Sequence, residues 1–527
     1  MTSVPTPAAN GGRRALAALL GYLAAAALVT APILRDPVHS TLGGGGGDLA
    51  LFLWFLSHTH AALWHDHGAG LLVTHALNAP DGVNLMWNTS LLLPGALLSP
   101  VTELGGPVLT LNVLFVLGPA LSAWSAYLCS GRFLQRTSAR LVTGLVFGFS
   151  PPLMAASLGH LHLTLLPLVP PLLLLVTDAA TGRGRPVRTG LLAGLLVACQ
   201  LLVGEEVLVL TAGAAVLLLA VLAVQHRQLV RRRLRAVLVT GLTAAATTLV
   251  LAGVPLWVQF FGTPRLHSEL QSRDQFVLDP VQMVLPTSRV WLSPAGLRTL
   301  LPVWHLNASE NMGYLGLPLL VLLVAVVWRW RRDPVVRTAA ATAVGLVVLA
   351  LGYHLHLAGV RTAVPTPWAL SRSLPVVGSA LTIRWMLVVT LLVALLVGIA
   401  VDRLPAGGRQ RALGWVLVVL CLLPLVPRQF GEGSKVAAPA FFTGSAGALR
   451  GTTLLVPLPR PEIARAMAWH AQTQERSPIV EGYFLGPQRD DKTGFGTYPR
   501  RPTARILLSL VASGRSVDVS PTLRLHA

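Results

Sequence analysis

Residues 190–224 have the sequence GLLAGLLVACQLLVGEEVLVLTAGAAVLLLAVLAV and are almost entirely apolar. A transmembrane helix needs about 20 apolar residues and at least about 17, so these 35 residues are too long for one crossing and just long enough for two short ones. Arginines flank it at 183–188 and at 227–235. Because arginine-rich connections stay on the cytoplasmic side, both ends are predicted to lie inside. The chain must then turn back at Gly204-Glu205-Glu206, which predicts a helical hairpin that carries two carboxylates to the outer surface.

The rest of the chain is also apolar. Hydrophobic residues make up 53% of it and charged residues only 12%, against about 25% charged in a soluble domain. The net charge of +20 does not indicate a nucleic-acid partner, because the basic residues form short clusters between apolar runs rather than one basic face. The cysteines lie in apolar runs without a CxxC pair, which predicts free thiols at Cys129, Cys199 and Cys421. We therefore predict an integral membrane protein.

Returning every arginine cluster to the cytoplasm requires about eleven crossings of the bilayer. The first apolar run follows two arginines and is too long for a cleaved signal peptide, so it is predicted to remain as a span. Residues 87–104 are interrupted by two prolines and precede no basic cluster, so they are predicted to be re-entrant or interfacial. The predicted crossings are 15–34, 107–129, 141–158, 163–179, 190–203, 207–224, 236–261, 313–328, 338–357, 382–401 and 412–427.

This threading places the amino terminus in the cytoplasm and the carboxyl terminus outside. The predicted transmembrane domain is 1–427, with outer loops at 35–106 and 261–312, and an extracytoplasmic region follows at 428–527. Alternating residues, a short helical pattern and glycine turns predict a small α/β fold for that region. The predicted fold class is thus an all-α polytopic membrane protein with a small α/β region at its carboxyl end.

Asp48 is the most prominent acidic residue of the first outer loop. It follows the glycine run 43–47 and precedes Leu49–Trp64, where aromatic residues at helical spacing suit the membrane interface. Two interpretations stay open from the residues alone. Asp48 is either the N-cap of the helix that begins there or a catalytic carboxylate at the membrane surface.

Other polar candidates also fall on the predicted outer side. Glu205 and Glu206 are costly at the edge of hydrocarbon unless they are solvated, paired or functional. Adjacent helical residues point about 100° apart, so at most one of them is expected to face a common cleft. Arg384, at the outer end of a span, either snorkels or binds an anionic phosphate, and Arg273 is a further candidate for that phosphate. The histidines either bind a metal or form interfacial hydrogen bonds; they are His58, His60, His65, His67, His75, His160 and His162.

The order of these elements resembles the GT-C superfamily of polytopic membrane glycosyltransferases, especially bacterial members, over roughly residues 13–427. The residues that carry the resemblance are Gly47-Asp48 before the aromatic helix, the segment NAPDGVNL at 78–85, FGFSP at 147–151, GHLH at 159–162 and GEE at 204–206.

The resemblance implies a transferase, inverting at the sugar carbon, that uses a polyprenyl-phosphate sugar as donor on the extracytoplasmic face of the bacterial inner or plasma membrane. Asp48 is then the base, and Glu205, Glu206, His160, His162, Arg273 and Arg384 bind substrate. The acceptor is a glycan, a lipid or a protein. Because no Asp-Asp or Asp-Glu pair is present in the first outer loop, a divalent cation is disfavoured and no metal site or cofactor is predicted. The alternatives are a transporter or flippase of lipid-linked precursors and a scaffold protein.

Overall fold

The computed structural model describes residues 8–42, 47–264, 274–294, 307–371, 380–443, 452–453, 465–473, 478–480 and 482–485. Helices dominate this part of the chain. They are α1 Ala8–Thr30, α2 Asp48–Trp64, α3 Leu92–Leu97, α4 Ser99–Ser130, α5 Thr137–Gly148, α6 Pro151–Ala156, α7 Val169–Thr181, α8 Pro186–Val203, α9 Glu205–Gln225, α10 Arg227–Phe261, α11 Leu317–Arg329, α12 Pro334–Ala350, α13 Met386–Asp402, α14 Gly408–Leu422, α15 Ala440–Thr443 and α16 Arg465–Ala471.

Six short strands form three antiparallel pairs, β1 with β6, β2 with β3 and β4 with β5. Their bounds are β1 Ser40–Thr41, β2 Val73–Thr74, β3 Val83–Asn84, β4 His354–Leu357, β5 Val360–Pro365 and β6 Ser434–Lys435.

Within the described residues, eight helices are long and apolar enough to cross a membrane, and α7, α11 and α12 are shorter apolar helices. Each predicted crossing overlaps one of these helices, so the prediction of a mostly helical polytopic protein is confirmed. The count of eleven crossings stays a prediction, because three of the helices are shorter than 18 residues.

The predicted break at Gly204 is confirmed. Helix α8 ends at Val203 and α9 begins at Glu205, with Gly204 in an extended conformation between them. The two helices pack against each other, as a hairpin requires. The side of the membrane on which this turn lies stays a prediction.

The first of two compact units draws on Met1–Asp36, Asn112–Gly253 and Arg273–Glu432. Its centre is α13, which is buried along most of its length and packs against α5 and α12. Small residues permit this close approach, since a Cβ on Gly398 would overlap the Thr143 hydroxyl of α5.

The β4–β5 hairpin of this unit is held by two carboxylates, of which Asp274 makes most of the contacts. Asp274 accepts hydrogen bonds from the backbone N–H of Tyr353 at 2.8 Å and from His354 Nδ1 at 2.6 Å. Arg361 on β5 adds a third contact, with its Nε 3.1 Å from the same carboxylate.

The second unit draws on Pro37–Leu111, Val254–Ser272 and Gly433–Ala527. Its helix α2 is buried along most of its length and packs against α3 and α16. Strand β1 pairs with β6, which joins residues 40–41 to residues 434–435. Paired strands occupy one compartment, so the chain crosses the membrane an even number of times between them, and the ten crossings predicted in that interval satisfy this condition.

The predicted division into 1–427 and 428–527 stays a prediction, although the contacts group the first outer loop with the carboxyl-terminal region. The described part of that region contains β6, α15 and α16. Most of it lies outside the described residues, so its α/β fold also stays a prediction.

Candidate functional site

Arg384 is the centre of a buried charged cluster in the first unit. It lies in the 3-10 turn Thr382–Trp385, which leads directly into α13, and its side chain is only 6% exposed. Its Nε and Nη2 donate to the two oxygens of Glu310, with Nε 3.2 Å from Oε2, and its Nη1 donates to Glu206. Because the guanidinium is enclosed by protein, the interpretation of Arg384 as a snorkelling residue is wrong.

Two histidines complete the cluster from the turn between α6 and α7. His160 Nε2 is 2.8 Å from Glu310 Oε1, and His162 Nε2 is 3.4 Å from Glu206 Oε2. Each carboxylate therefore lies between the arginine and one imidazole. The two rings are 6.1 Å apart between centroids and nearly perpendicular.

The electrostatics of the cluster favour charged acids and a neutral His162. Burial opposes ionisation of Glu310, but the Arg384 guanidinium and His160 outweigh it and hold the pKa of that carboxyl far below its ordinary range. Burial lowers the pKa of His162 despite the neighbouring Glu206. Each carboxylate oxygen has two lone pairs, so Glu206 and Glu310 can accept hydrogen bonds from a polar substrate in addition to those from Arg384.

Local structure explains how the two carboxylates are placed. Glu206 lies in the first turn of α9, where the amino-terminal end of the helix dipole stabilises negative charge. Glu310 follows a turn in which Asn307 Oδ1 accepts hydrogen bonds from Ser309 Oγ at 2.8 Å and from the Glu310 N–H at 2.9 Å. The side chain of Glu310 is then directed into the protein, where it is 1% exposed.

The sequence prediction brought together four of these five residues as candidates and missed Glu310. Glu310 follows an Asn-Ala-Ser sequence at 307–309, a common three-residue pattern that does not indicate a buried carboxylate. A charged residue in a loop without periodicity gives no indication of burial. Of the acidic pair on α9, Glu206 contacts Arg384, while Glu205 is half-buried at the preceding position. Arg273 lies outside the described residues.

Asp48 belongs to the second unit. It is the first residue of α2, and the N-cap position is occupied by Gly47, with φ 58°, so the interpretation of Asp48 as the N-cap is wrong. The Tyr483 hydroxyl donates a 2.6 Å hydrogen bond to Asp48 Oδ1. The sequence prediction did not single out Tyr483. Asp48 is half-buried, which leaves part of the residue accessible.

Two histidines of the predicted first outer loop form hydrogen bonds, which is one of the two interpretations that the sequence left open. His58 stacks on Trp54 and its Nε2 is 3.0 Å from the Gly70 carbonyl oxygen. His75 Nδ1 is 2.8 Å from the Pro80 carbonyl oxygen. Each ring thus orders a neighbouring segment of the loop.

Comparisons with known proteins agree with the fold. The model of the family described as "Domain of unknown function (DUF6311)" matches residues 18–426. No curated protein matches the chain in sequence. The arabinofuranosyltransferase AftD from Mycobacteria superposes with a TM-score of 0.50 at 17% identity, over 90% of this chain and 32% of AftD.

A second solved structure gives the same result. The oligosaccharyltransferase of Archaeoglobus fulgidus, tethered to an acceptor peptide containing the NVT sequon, has a TM-score of 0.50 at 12% identity, over 89% of this chain and 64% of that enzyme. The chain thus spans about a third of AftD and slightly less than two thirds of the oligosaccharyltransferase. Both neighbours are GT-C glycosyltransferases, so the chain has a GT-C-like fold.

Proposed function

The chain belongs to the DUF6311 family, and we propose that it is a membrane glycosyltransferase that moves a sugar from a polyprenyl-phosphate donor to an acceptor on the extracytoplasmic face. The fold supports this class of reaction, but a fold alone hosts many functions. The observation that carries the proposal is therefore local. It is the half-buried carboxylate of Asp48 at the start of α2, hydrogen-bonded to Tyr483.

Asp48 is proposed as the general base. An acceptor hydroxyl attacks the anomeric carbon while Asp48 takes its proton, and the bond from that carbon to the phosphate oxygen breaks. The electron pair of that bond leaves with the lipid phosphate. Because the hydroxyl attacks the face opposite the departing phosphate in a single displacement, the configuration at the sugar carbon inverts. Tyr483 holds the carboxylate in one orientation, since its hydroxyl donates to Oδ1.

The buried cluster is proposed as a binding site for sugar hydroxyls. Carboxylates and imidazoles accept and donate hydrogen bonds to hydroxyl groups, and four such side chains converge around Arg384. Arg384 is neutralised by Glu206 and Glu310, so its part in the proposal is to hold the two carboxylates in place. Binding of the donor phosphate is then assigned to basic residues outside the described part of the chain, with Arg273 as the first candidate.

A cavity of about 430 Å³ in the first unit supports a lipid substrate. Its walls are mainly aliphatic and come from α4, α7, α9, α12 and α13. It begins at Val388, four residues after Arg384, and extends to Asp178 and His226 at the far ends of α7 and α9. An apolar cavity between helices is suited to a segment of an isoprenoid chain.

Reconstitution in liposomes with radiolabelled polyprenyl-phosphate sugars tests the proposal. We expect transfer to an added acceptor by the wild type and a loss of about 100-fold or more in Asp48→Asn. Asp66→Asn, at an exposed position of the same loop, is the matched control and should retain full transfer. Equal transfer by wild type and Asp48→Asn removes Asp48 as the base. Movement of labelled lipid across the bilayer without transfer favours a transporter.

The proposed location is the inner or plasma membrane of a bacterium, with the amino terminus inside and the carboxyl terminus outside. Topology tags at Gly204 and at the carboxyl terminus test it. Both tags should report the extracytoplasmic side, and a cytoplasmic signal at either position contradicts the proposed orientation.

A further inference from the structure

Three potential metal ligands meet in the second unit, away from the residues assigned above. They are His60 near the end of α2, His65 directly after α2, and Glu103 in the first turns of α4. One ligand atom from each lies within 4.8 Å of the others. His65 and Glu103 are exposed, whereas the His60 residue is only 3% exposed.

The buried imidazole of His60 is oriented as a ligand. Its Nδ1 is 2.8 Å from the hydroxyl oxygen of Ser99. Ser99 is the first residue of α4. When Nδ1 carries the proton and donates to Ser99, the lone pair of Nε2 is available on the other side of the ring.

The environment of Nε2 points to a ligand. Nε2 lies 2.8 Å from Glu103 Oε2, but the contact lacks hydrogen-bond geometry. Within the described residues, this buried nitrogen therefore has no hydrogen-bond partner. Ser99 and Glu103 are one helical turn apart on α4, so the same face of that helix supplies both the orienting group and a ligand.

We propose that His60, His65 and Glu103 bind a zinc ion. Two imidazoles and one carboxylate are a donor set that zinc prefers, at about 2.0–2.2 Å from each ligand atom, with a fourth position left for water. The exposed side chains of His65 and Glu103 rotate to close on the metal, while His60 stays fixed by Ser99. This departs from the sequence-based prediction of no metal site.

The position of the site along α2 separates it from the proposed chemistry. His60 is twelve residues after Asp48 in α2, which corresponds to about 18 Å at the helical rise of 1.5 Å per residue. The metal therefore joins the end of α2 to the start of α4 rather than taking part in glycosyl transfer. Its role is structural, and it stabilises the region that follows the first span.

Metal binding is tested on the untagged full-length protein in detergent, by titration with ZnCl2 against a chromophoric chelator and by absorption of the CoCl2-loaded protein. We expect one zinc ion per chain and cobalt absorption bands typical of four-coordination. His65→Ala and Glu103→Gln change exposed side chains and should lower the affinity by more than about 100-fold. Ser99→Ala, which removes only the orienting group, should lower it by about 10- to 100-fold.

His67→Asn is the matched control, because it removes an adjacent histidine and asparagine tolerates the positive φ of 52° found there. This variant should bind zinc as the wild type does. Zinc should also raise the thermal midpoint of the wild type and of His67→Asn, with no effect on Glu103→Gln. Equal zinc affinity of wild type, His65→Ala and Glu103→Gln overturns the proposal, whatever the outcome of the glycosyl-transfer assay.

Discussion

Glu310 and Arg384 lie 74 residues apart in the chain, yet both oxygens of the Glu310 carboxylate contact the guanidinium of Arg384. The contact joins the loop before α11 to the start of α13, and both side chains are buried. Since Glu206 also contacts this guanidinium, three segments of the first unit depend on one cation.

Glu310→Gln should destabilise the protein by about 3–5 kcal/mol, because it leaves a buried arginine partly uncompensated. Glu206→Gln should cost less, since the Glu206 side chain is 25% exposed and that of Glu310 only 1%. Thermal unfolding followed by intrinsic tryptophan fluorescence measures both.

Arg132→Gln provides the comparison for a more exposed pair. Arg132 lies 3.2 Å from Asp178 and is 36% exposed, so its loss should cost about 1 kcal/mol or less. If the thermal midpoint of Glu310→Gln is no lower than that of Arg132→Gln, the Glu310–Arg384 pair does not stabilise the fold more than an exposed ion pair does.

Acidification should weaken the first unit in two stages. The folded-state pKa of His162 is lowered by burial, so the unfolded chain binds a proton that the folded chain does not, and stability falls as the pH drops below about 6.5. Glu310, whose folded-state pKa is lowered by Arg384 despite the opposing effect of burial, adds a further loss below about pH 4.3.

The thermal midpoint measured from pH 7.5 to pH 5 checks the first stage. His162→Gln keeps an amide donor near Glu206 and should reduce the dependence on pH in that range. If the thermal midpoint of His162→Gln falls with decreasing pH as steeply as that of the wild type, the loss of stability is due to another histidine.

Tyr483→Phe should slow glycosyl transfer by about 10-fold while changing the Michaelis constant for the donor little. The Tyr483 hydroxyl donates a 2.6 Å hydrogen bond to Asp48, and a hydrogen bond to a charged group contributes about 1.5–3 kcal/mol. Initial rates at varied donor concentration measure both constants. An unchanged turnover number shows that Tyr483 does not position the base.

Asp274→Asn should loosen the β4–β5 hairpin. Hydrogen bonds from His354 and from the backbone N–H of Tyr353 lower the pKa of this carboxyl although burial acts to raise it, so the charged form is the one that holds the hairpin. Limited proteolysis near Ala358 and Gly359 should become faster. Arg361→Gln leaves the backbone hydrogen bonds intact and should have a smaller effect, and the reverse order contradicts this account.

Gly144→Ala should destabilise the contact of α5 with its neighbours. A Cβ at Gly144 would lie 2.6 Å from the Ala123 carbonyl oxygen and would also overlap the Tyr22 hydroxyl. Gly241 on α10 has no neighbour within 4 Å of such a Cβ, so Gly241→Ala is the control and should be neutral or stabilising by about 1 kcal/mol. Thermal midpoints that fall equally in both variants exclude a packing effect.

The sequence predicted the helices well because their signal is local. Apolar runs of about 20 residues and the arginine clusters between them depend on neighbouring residues only, and the break at Gly204 followed from the same pattern. The partners of the candidate residues were not predictable in this way. Glu310 and Tyr483 reach Arg384 and Asp48 from distant segments, and no local pattern encodes which loops meet.

The interpretations of Arg384 as a snorkelling residue and of Asp48 as the N-cap were wrong for the same reason, because both depend on more than a local sequence pattern. Whether Arg384 lies in protein or at the surface depends on the packing of α9 and the loop before α11, not on its place in an apolar run. Whether Asp48 or Gly47 caps α2 depends on one backbone angle, since Gly47 adopts a positive φ that few other residues tolerate.

The pairing of β1 with β6 sets an order for biosynthesis. During translation, residues 40–41 leave the ribosome long before residues 434–435, so the β1–β6 pair forms only after the whole intervening chain has been made. Helix α2 likewise waits for α16, which packs against it. The segment that follows the first helix therefore completes its packing only after the carboxyl-terminal region has been translated.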